Sequence, residues 1–251
     1  MGAQIFRPSA NSLAQISILG VATVPLLGGL ALAALSRSPA NTKVGVPKNQ
    51  PIPFSHQHHA WELGIDCRYC HTSVEKSANA GFPSTETCMS CHSQIWTQSP
   101  LLEPVRQSYE TNTPIKWNVV NKVPDFVQFN HSIHVNRGLN CNTCHGPVND
   151  MHITYKGNPF QMQWCLQCHR NPARYLAKPE VPGHTPRQSV FDLYWKAQTV
   201  GKAGLNQREQ ELIRGSWTGS DDPKAIAEGN ELVKDLGIKV QQLSDCAVCH
   251  Y

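Results

Sequence analysis

All ten cysteines of this chain lie in one motif, Cys-x-x-Cys-His, which occurs five times and leaves no cysteine over. Chance at these residue frequencies would produce far less than one such unit in 251 residues. Zinc ribbons use Cys-x-x-Cys units in pairs, and neither they nor a disulfide framework requires a histidine after every second cysteine. A redox dithiol of the thioredoxin kind would occur once. The motif therefore limits the chain to folds built around the cofactor that it binds.

Cys-x-x-Cys-His is the attachment signature of c-type haem. The two thiols reach the two vinyl groups on one edge of the porphyrin, and the adjacent histidine falls beneath the iron as its proximal ligand. The sequence therefore predicts five covalently bound haems c, each with one iron. The attachment cysteines are Cys67, Cys70, Cys88, Cys91, Cys141, Cys144, Cys165, Cys168, Cys246 and Cys249, and the proximal ligands are His71, His92, His145, His169 and His250.

An uncharged apolar segment precedes these motifs. Residues 8–36 carry no charge, and residues 16–35 are mostly Ile, Leu, Val, Ala and Gly. Twenty helical residues extend about 30 Å, the thickness of a bilayer core. A cleaved signal peptide is the alternative, with Ala31-Leu32-Ala33 as the candidate cleavage site. The length of the apolar stretch favours an uncleaved, single-pass membrane anchor.

The orientation of this anchor rests on chemistry rather than on flanking charge. Arg7 is the only side-chain cation before the span, whereas Arg37, Lys43 and Lys48 follow it, which mildly favours a cytoplasmic location for the rest of the chain. Covalent haem attachment takes place outside the cytoplasmic membrane in bacteria. We therefore expect an inner-membrane protein with its haem-binding part on the periplasmic side.

The chain also contains an internal duplication. Phe54-Ser-His56-Gln-His58-His59 precedes the first attachment unit, Phe129-Asn-His131-Ser-Ile-His134 precedes the third, and two units follow each. Histidines at i and i+3 lie on nearly the same face of a helical turn, so their imidazoles can reach two neighbouring irons as sixth ligands. His58 aligns with Ile133 and is not a predicted ligand. The predicted distal ligands are His56, His59, His131 and His134.

Four distal histidines for five haems leave one sixth ligand to be found. The candidates are Met151, six residues after His145, then Met162, three residues before Cys165, and then His152. We favour Met151. A thioether ligand would give that haem a higher potential than its bis-histidine neighbours.

The spacing of the motifs also predicts the fold class. Only about 39 residues per haem are available between residues 54 and 250, so the haems themselves should form the core of a mostly α-helical and irregular multihaem cytochrome c. Helices are predicted at 189–200, 206–214 and 224–236, and 115–123 is the best β-like run. The predicted organisation is a membrane anchor at 1–39, a tether at 40–53, a duplicated four-haem region at 54–185 (54–128 and 129–185), and a helical segment at 186–251 that ends in the fifth site.

Several stretches together resemble one family. They are the single amino-terminal span, the duplicated Phe-x-His-x-x-His motif, Gly138 to Gly146 leading to Met151, His92-Ser-Gln-Ile-Trp96, Pro124-Asp-Phe-Val-x-Phe129, and Met162-x-Trp164-Cys165-x-x-Cys168-His169-Arg170. Over most of residues 13–250, the chain resembles the pentahaem cytochrome c subunit of bacterial alternative complex III. More distantly, it resembles class III cytochromes c and the haem subunit of menaquinone reductase complexes.

The resemblance implies an electron-transfer subunit that is not an enzyme by itself. Quinol-binding integral membrane subunits would oxidise quinol, and electrons would reach the haems through an iron–sulfur, molybdopterin-enzyme-like subunit. They would leave to a monohaem cytochrome c subunit or a soluble electron acceptor, in respiratory or photosynthetic electron transport. The family carries one haem with a methionine ligand, which agrees with the shortage of distal histidines, although His152 beside Met151 departs from the family pattern.

Two other functions compete with this one. A membrane-anchored multihaem quinol dehydrogenase that feeds a periplasmic reductase would share the anchor and the haems. A multihaem reductase needs an open iron, and no Cys-x-x-Cys-Lys unit of the nitrite-reducing type is present. The formal net charge is only +4, with no run of Lys or Arg, which argues against nucleic acid as a partner.

Overall fold

A computed structural model describes Arg7 and residues 9–251 of the chain. Within these residues the α-helices are α1 Ser9–Arg37, α2 Pro39–Thr42, α3 Cys67–Cys70, α4 Thr85–His92, α5 Glu103–Thr111, α6 His131–Asn136, α7 Cys141–His145, α8 Met162–Arg170, α9 Pro186–Val200, α10 Gln207–Arg214, α11 Pro223–Asp235 and α12 Cys246–Cys249. A short π-helix covers Gln57–Glu62, and 3₁₀ turns cover Pro100–Leu102, Val148–Asp150, Pro172–Arg174, Lys202–Gly204 and Val240–Ser244.

The described residues form no β-sheet. Extended pairing there consists of isolated bridges between Val44 and Lys156, Pro47 and Tyr155, and Val127 and His250. The β-like run predicted at 115–123 is irregular, because its neighbours offer side chains rather than a partner strand. The architecture is the helical and irregular one that the motif spacing predicts.

The chain divides into two compact units at Lys43 and Val44. In the first unit, α1 includes the predicted span, contains Pro25 and has no buried residue. Of the described helices, α1 is the one that is long and apolar enough to cross a membrane, with a mean hydropathy of 2.2 over its best window. A helix of this kind near the amino terminus is typical of a membrane anchor or of a signal sequence.

In the second unit, the chain entering from Val44 lies along the fold rather than standing apart from it. The Gly45 amide donates to the Lys156 carbonyl, and the side chains of Lys48 and Gln50 donate to the Val119 and Asn118 carbonyls at 3.0 and 2.8 Å. These bonds cover part of the segment expected to be a tether.

The cysteine-free segment before the fifth unit is helical, as its periodicity predicts. Helix α9 begins with a capping box at Thr185, and α10 begins with another at Asn206. The Asp222 carboxylate accepts from the first free amides of α11, and the turn after this helix contains Gly237 in the left-handed region, at φ 63°. All three predicted helices are confirmed.

The apolar core of the second unit consists of three small clusters. One joins Leu193 and Ala197 of α9 to Ile213 of α10, and another joins Ala173 to Leu232 of α11. The third contains Phe191 of α9 and packs against the attachment cysteines Cys67 and Cys141. Helix α9 therefore lies over the first and third attachment units and holds them in place from one side.

Candidate haem-binding sites

The attachment units, numbered here as sites 1 to 5 in chain order, each place both cysteines on a helical turn. In sites 1, 3 and 5 the first cysteine is the first helical residue, preceded by Asp66, Asn140 or Asp245. The Asp66 and Asn140 side chains accept the amide protons of Arg68 and Asn142, which fixes the start of each turn. Residues at i and i+3 share a helix face, so each pair of thiols points to one side, as attachment to one porphyrin edge requires.

Three histidine pairs have the separation that two axial ligands of one iron need. The ring centroids of His59 and His92, of His131 and His145, and of His134 and His169 are each 6.2 Å apart. Two metal–imidazole bonds of about 2 Å, together with the half-width of each ring, add up to roughly the same distance. The chain itself thus leaves space for an iron between each distal histidine and the proximal histidine opposite it.

The fourth distal histidine, His56, lies beside His71 of site 1. Burial, followed by the nearby His71, His59 and His145, lowers the pKa of His56 to about 4. Burial and the neighbouring His131 and His71 likewise lower the pKa of His145 to about 4. Both imidazoles are therefore neutral at neutral pH, which is the form that coordinates a metal.

The Nδ1 atoms of the candidate ligands are oriented by groups outside the sites. Because a carbonyl only accepts, each bond fixes Nδ1 as the donor and leaves the Nε2 lone pair free for a metal. Six Nδ1 atoms donate to main-chain carbonyls: His59 to Ser55 (2.9 Å), His71 to Gly81 (2.7 Å), His92 to Ile95 (3.3 Å), His131 to Ala78 (2.8 Å), His134 to Asn130 (2.7 Å) and His169 to Leu243 (3.0 Å). His56 Nδ1 bonds the Thr154 hydroxyl at 3.1 Å.

Two histidines that were not predicted as ligands have different partners. His58 Nδ1 lies 2.8 Å from the Glu62 carboxylate on a half-exposed surface, and His184 Nδ1 lies 2.7 Å from the Asp192 carboxylate. Both imidazoles bond a carboxylate on partly exposed side chains. In these two histidines Nδ1 contacts a carboxylate, whereas in six predicted ligands it donates to a main-chain carbonyl.

The phenylalanine of each repeat supports both distal histidines. Phe54 stacks on His59 at 4.5 Å and meets His56 edge-on at 5.0 Å. Phe129 does the same, stacking on His134 at 4.7 Å and meeting His131 edge-on at 4.8 Å. Each phenylalanine ring thus lies flat against one distal imidazole and edge-on to the other. The same arrangement occurs twice, which is the structural counterpart of the duplication.

The comparisons with known proteins fall on the same two repeats. The class III cytochrome C family matches residues 32–103, which contain the histidine motif and both attachment units of the first repeat, and cytochrome c7 and related cytochrome c matches residues 127–189, which contain the second repeat. The menaquinone reductase multihaem cytochrome c subunit of Nitratidesulfovibrio vulgaris is 32% identical over 145 residues, which cover 49% of this chain and 69% of that protein. The chain belongs to the multihaem cytochromes c. Its cofactor is accordingly haem c, and its activity is electron transfer.

Site 5 of this multihaem cytochrome lies outside both family matches and has different surroundings. His250 stacks on Phe126 at 5.8 Å, its main chain bridges Val127, and the Gln128 amide donates to the Cys249 carbonyl at 2.8 Å. The ring against His250 is thus a phenylalanine, whereas a distal imidazole faces His92, His145 and His169.

The candidates for the remaining sixth ligand are widely spread. Met151 is 2% exposed, lies beside Gly146, and accepts the Gln57 amide through its carbonyl, which places it among sites 1 and 3. Met162 is 65% exposed at the start of α8, one turn before Cys165. His152 is exposed. These locations could not be inferred from the sequence.

A buried polar network beneath site 3 was not anticipated. The fully buried side chain of Asn142, inside the attachment unit, donates to Asn149 Oδ1 and to the Ile213 carbonyl at 2.8 Å. The Tyr194 hydroxyl of α9 lies 2.9 Å from Asn140 Oδ1 and 3.0 Å from Asn142 Oδ1. The sequence signal for this network is the pair of asparagines at 140 and 142, one on each side of the attachment residue Cys141.

Proposed function

We propose that this cytochrome carries five haems c, four of them with two histidine ligands. The proposed pairs of proximal and distal ligands are His71 with His56, His92 with His59, His145 with His131, and His169 with His134. The observation that supports these pairs best is the same 6.2 Å separation of ring centroids in three of them. The duplication extends the arrangement to His56 and His71.

The fifth haem, at site 5, is proposed to have His250 and a methionine as ligands. The sequence ranks Met151 first, but the contacts of Met151 lie among sites 1 and 3. Met162 is exposed at the start of α8, and α8 packs against the 3₁₀ turn Val240–Ser244 that leads into site 5. Its exposed thioether is therefore the better placed of the two, and we assign the sixth position of site 5 to Met162.

The electrons are proposed to come from quinol oxidised in a membrane complex of the alternative complex III type. The similar protein of Nitratidesulfovibrio vulgaris is, by name, the multihaem cytochrome c subunit of a menaquinone reductase, which supports a quinone-linked role for this chain. Helix α1 supplies one apolar span without an ionisable residue between Ser9 and Ser36, which is little material for a quinol pocket. Quinol-binding integral membrane subunits and an iron–sulfur subunit are therefore proposed as donors, and a monohaem cytochrome c or a soluble protein as acceptor.

Helix α1 is proposed to remain in the mature protein as a single-pass anchor. The second unit would then lie on the periplasmic side, where haem is attached covalently. The length of α1 and its lack of buried residues support this proposal.

Purification of the full chain from native membranes tests these proposals together. The measured mass should exceed that of the polypeptide by five haems, the expected partners are quinol-binding and iron–sulfur subunits, and quinol should reduce the haems. A mass with three or four haems would contradict the ligand pairs, and a mass beginning near residue 34 would contradict the anchor. An isolated chain that oxidises quinol alone would instead support a membrane-anchored quinol dehydrogenase that feeds a periplasmic reductase.

A further inference from the structure

Contacts between the attachment units indicate which sites are neighbours in space. The inferred order of the sites rests on the proposed function, because it requires all five units to hold haem.

Sites 1 and 2 are neighbours. The Tyr69 hydroxyl, inside the first attachment unit, bonds the Ser90 hydroxyl, inside the second, at 2.7 Å. The distal histidines of the two sites are three residues apart, since His59 faces His92 and His56 lies beside His71. Phe54 contacts both of these distal rings.

Sites 3 and 4 are neighbours in the same way. His131 and His134 lie one turn apart on α6 and face His145 and His169 respectively. Phe160 connects the two sites on the other side, with its ring 6.2 Å from that of His145 and 5.3 Å from that of Trp164, the residue before Cys165.

The two repeats meet through sites 1 and 3. Cys67 and Cys141 pack against the same cluster of buried residues around Phe191. The loop after site 1 also serves both sites, because the Gly81 carbonyl orients the proximal His71 and the Ala78 carbonyl orients the distal His131. The first site of each repeat therefore lies at the centre, and the second site of each repeat lies outside.

Site 5 adjoins site 4. The proximal His169 of site 4 donates through Nδ1 to the Leu243 carbonyl at 3.0 Å, and Leu243 belongs to the turn that leads directly into Cys246. Helix α8, which holds site 4, packs against this same turn.

The geometry points to a single relay in which electrons pass through the haems in the spatial order site 2, site 1, site 3, site 4, site 5. In this row the first sites of the two repeats, sites 1 and 3, lie side by side, and the second sites, 2 and 4, lie outside them. Site 5 extends the row at one side only. Sites 2 and 5 are the two ends, so the electron donor and the electron acceptor approach opposite ends of the row.

Pulsed electron paramagnetic resonance on the fully loaded ferric protein tests this order. His59→Ala opens the iron of site 2, and His134→Ala opens the iron of site 4; each becomes a high-spin centre that relaxes its nearest neighbours faster. Site 2 has one neighbour in the proposed order and site 4 has two. His59→Ala should therefore shorten the relaxation time of one remaining low-spin haem, and His134→Ala should shorten that of two.

His184→Ala is the control, because His184 is not a predicted ligand and its Nδ1 lies 2.7 Å from the Asp192 carboxylate; it should change no haem signal. Two perturbed neighbours for His59→Ala, or one for His134→Ala, would overturn the order. A cryo-electron microscopy map of the unmodified loaded protein gives the same answer without variants, and any other sequence of attachment units along the row would overturn it. Neither result depends on quinol, so a wrong order and a wrong electron donor are distinguishable.

Discussion

Replacement of Tyr194 by phenylalanine tests how the polypeptide supports the haem core at site 3. The Tyr194 hydroxyl has one proton and lies between two buried amide oxygens, those of Asn140 at 2.9 Å and Asn142 at 3.0 Å. Tyr194→Phe removes this hydroxyl and retains the ring that packs against the cluster around Leu193 and Ile213.

The size of the expected stability loss depends on which amide oxygen keeps a hydrogen-bond partner. Asn140 Oδ1 still accepts the Asn142 amide at 2.9 Å, so it remains hydrogen bonded. Asn142 is 0% exposed, so its oxygen loses the Tyr194 proton without gaining bulk water. An unsatisfied buried acceptor costs about 1–3 kcal/mol, and each kcal/mol lowers the Tm of a domain of this size by about 2–4 °C. We therefore expect a fall in Tm of several degrees.

The assay is thermal unfolding of the haem-loaded protein, followed by circular dichroism in the Soret region. Tyr251→Phe is the control, because Tyr251 is 90% exposed and its replacement should leave Tm unchanged. A double-mutant cycle with Asn142→Ala should give a combined loss smaller than the sum of the single losses, since both changes remove the same bond. An unchanged Tm in Tyr194→Phe, or strict additivity in the cycle, would refute this account of the network.

The remaining predictions concern ligands and close packing. Met162→Leu should convert one ferric haem to high spin in the electron paramagnetic resonance spectrum. Met151→Leu should keep all haems low spin and lower the free energy of unfolding by less than about 1.5 kcal/mol, because it is a volume-conserving core change. The reverse pattern in the spectrum would assign the ligand to Met151. Thr154→Val removes the hydrogen-bond partner of His56 Nδ1, which weakens electron donation by that imidazole and should raise the midpoint potential of one haem. Thr199→Val is the control, because the Thr199 hydroxyl bonds carbonyls within α9. Identical redox titrations of the two variants would contradict the assignment of His56. Gly157→Ala would place a Cβ 2.4 Å from the His145 carbonyl oxygen and 2.5 Å from the Gly146 nitrogen. It should therefore destabilise the protein by at least about 1–3 kcal/mol and broaden the resonance signal of the site 3 haem. A wild-type unfolding midpoint would show that this main-chain contact is not rigid.

Several features of this cytochrome follow from local sequence. Short stretches of sequence are enough to predict the five attachment units, the histidine pairs of each repeat, the apolar segment and the three carboxyl-terminal helices. The reason is that turn geometry and capping involve residues close together in the chain. Thr185, Asn206 and Asp222 could be read as caps because their partners lie two or three residues away. The class of cofactor is local for the same reason, since both thiols and the proximal histidine belong to one turn.

What only the tertiary structure decided is which of these local units meet. The contact of sites 1 and 3 joins Cys67 to Cys141, the support of site 3 joins Tyr194 to Asn142, and the approach of site 5 to site 4 joins Leu243 to His169. These partners are separated by 52 to 74 residues of chain, taking the differences of their numbers. The sequence repeat predicts which residues of the two halves are equivalent. It does not predict which attachment sites are neighbours in space, because their proximity depends on how α8 and α9 pack. For that reason the sequence by itself predicts the number of attachment units and their candidate ligands, and the packing decides which of these units are neighbours.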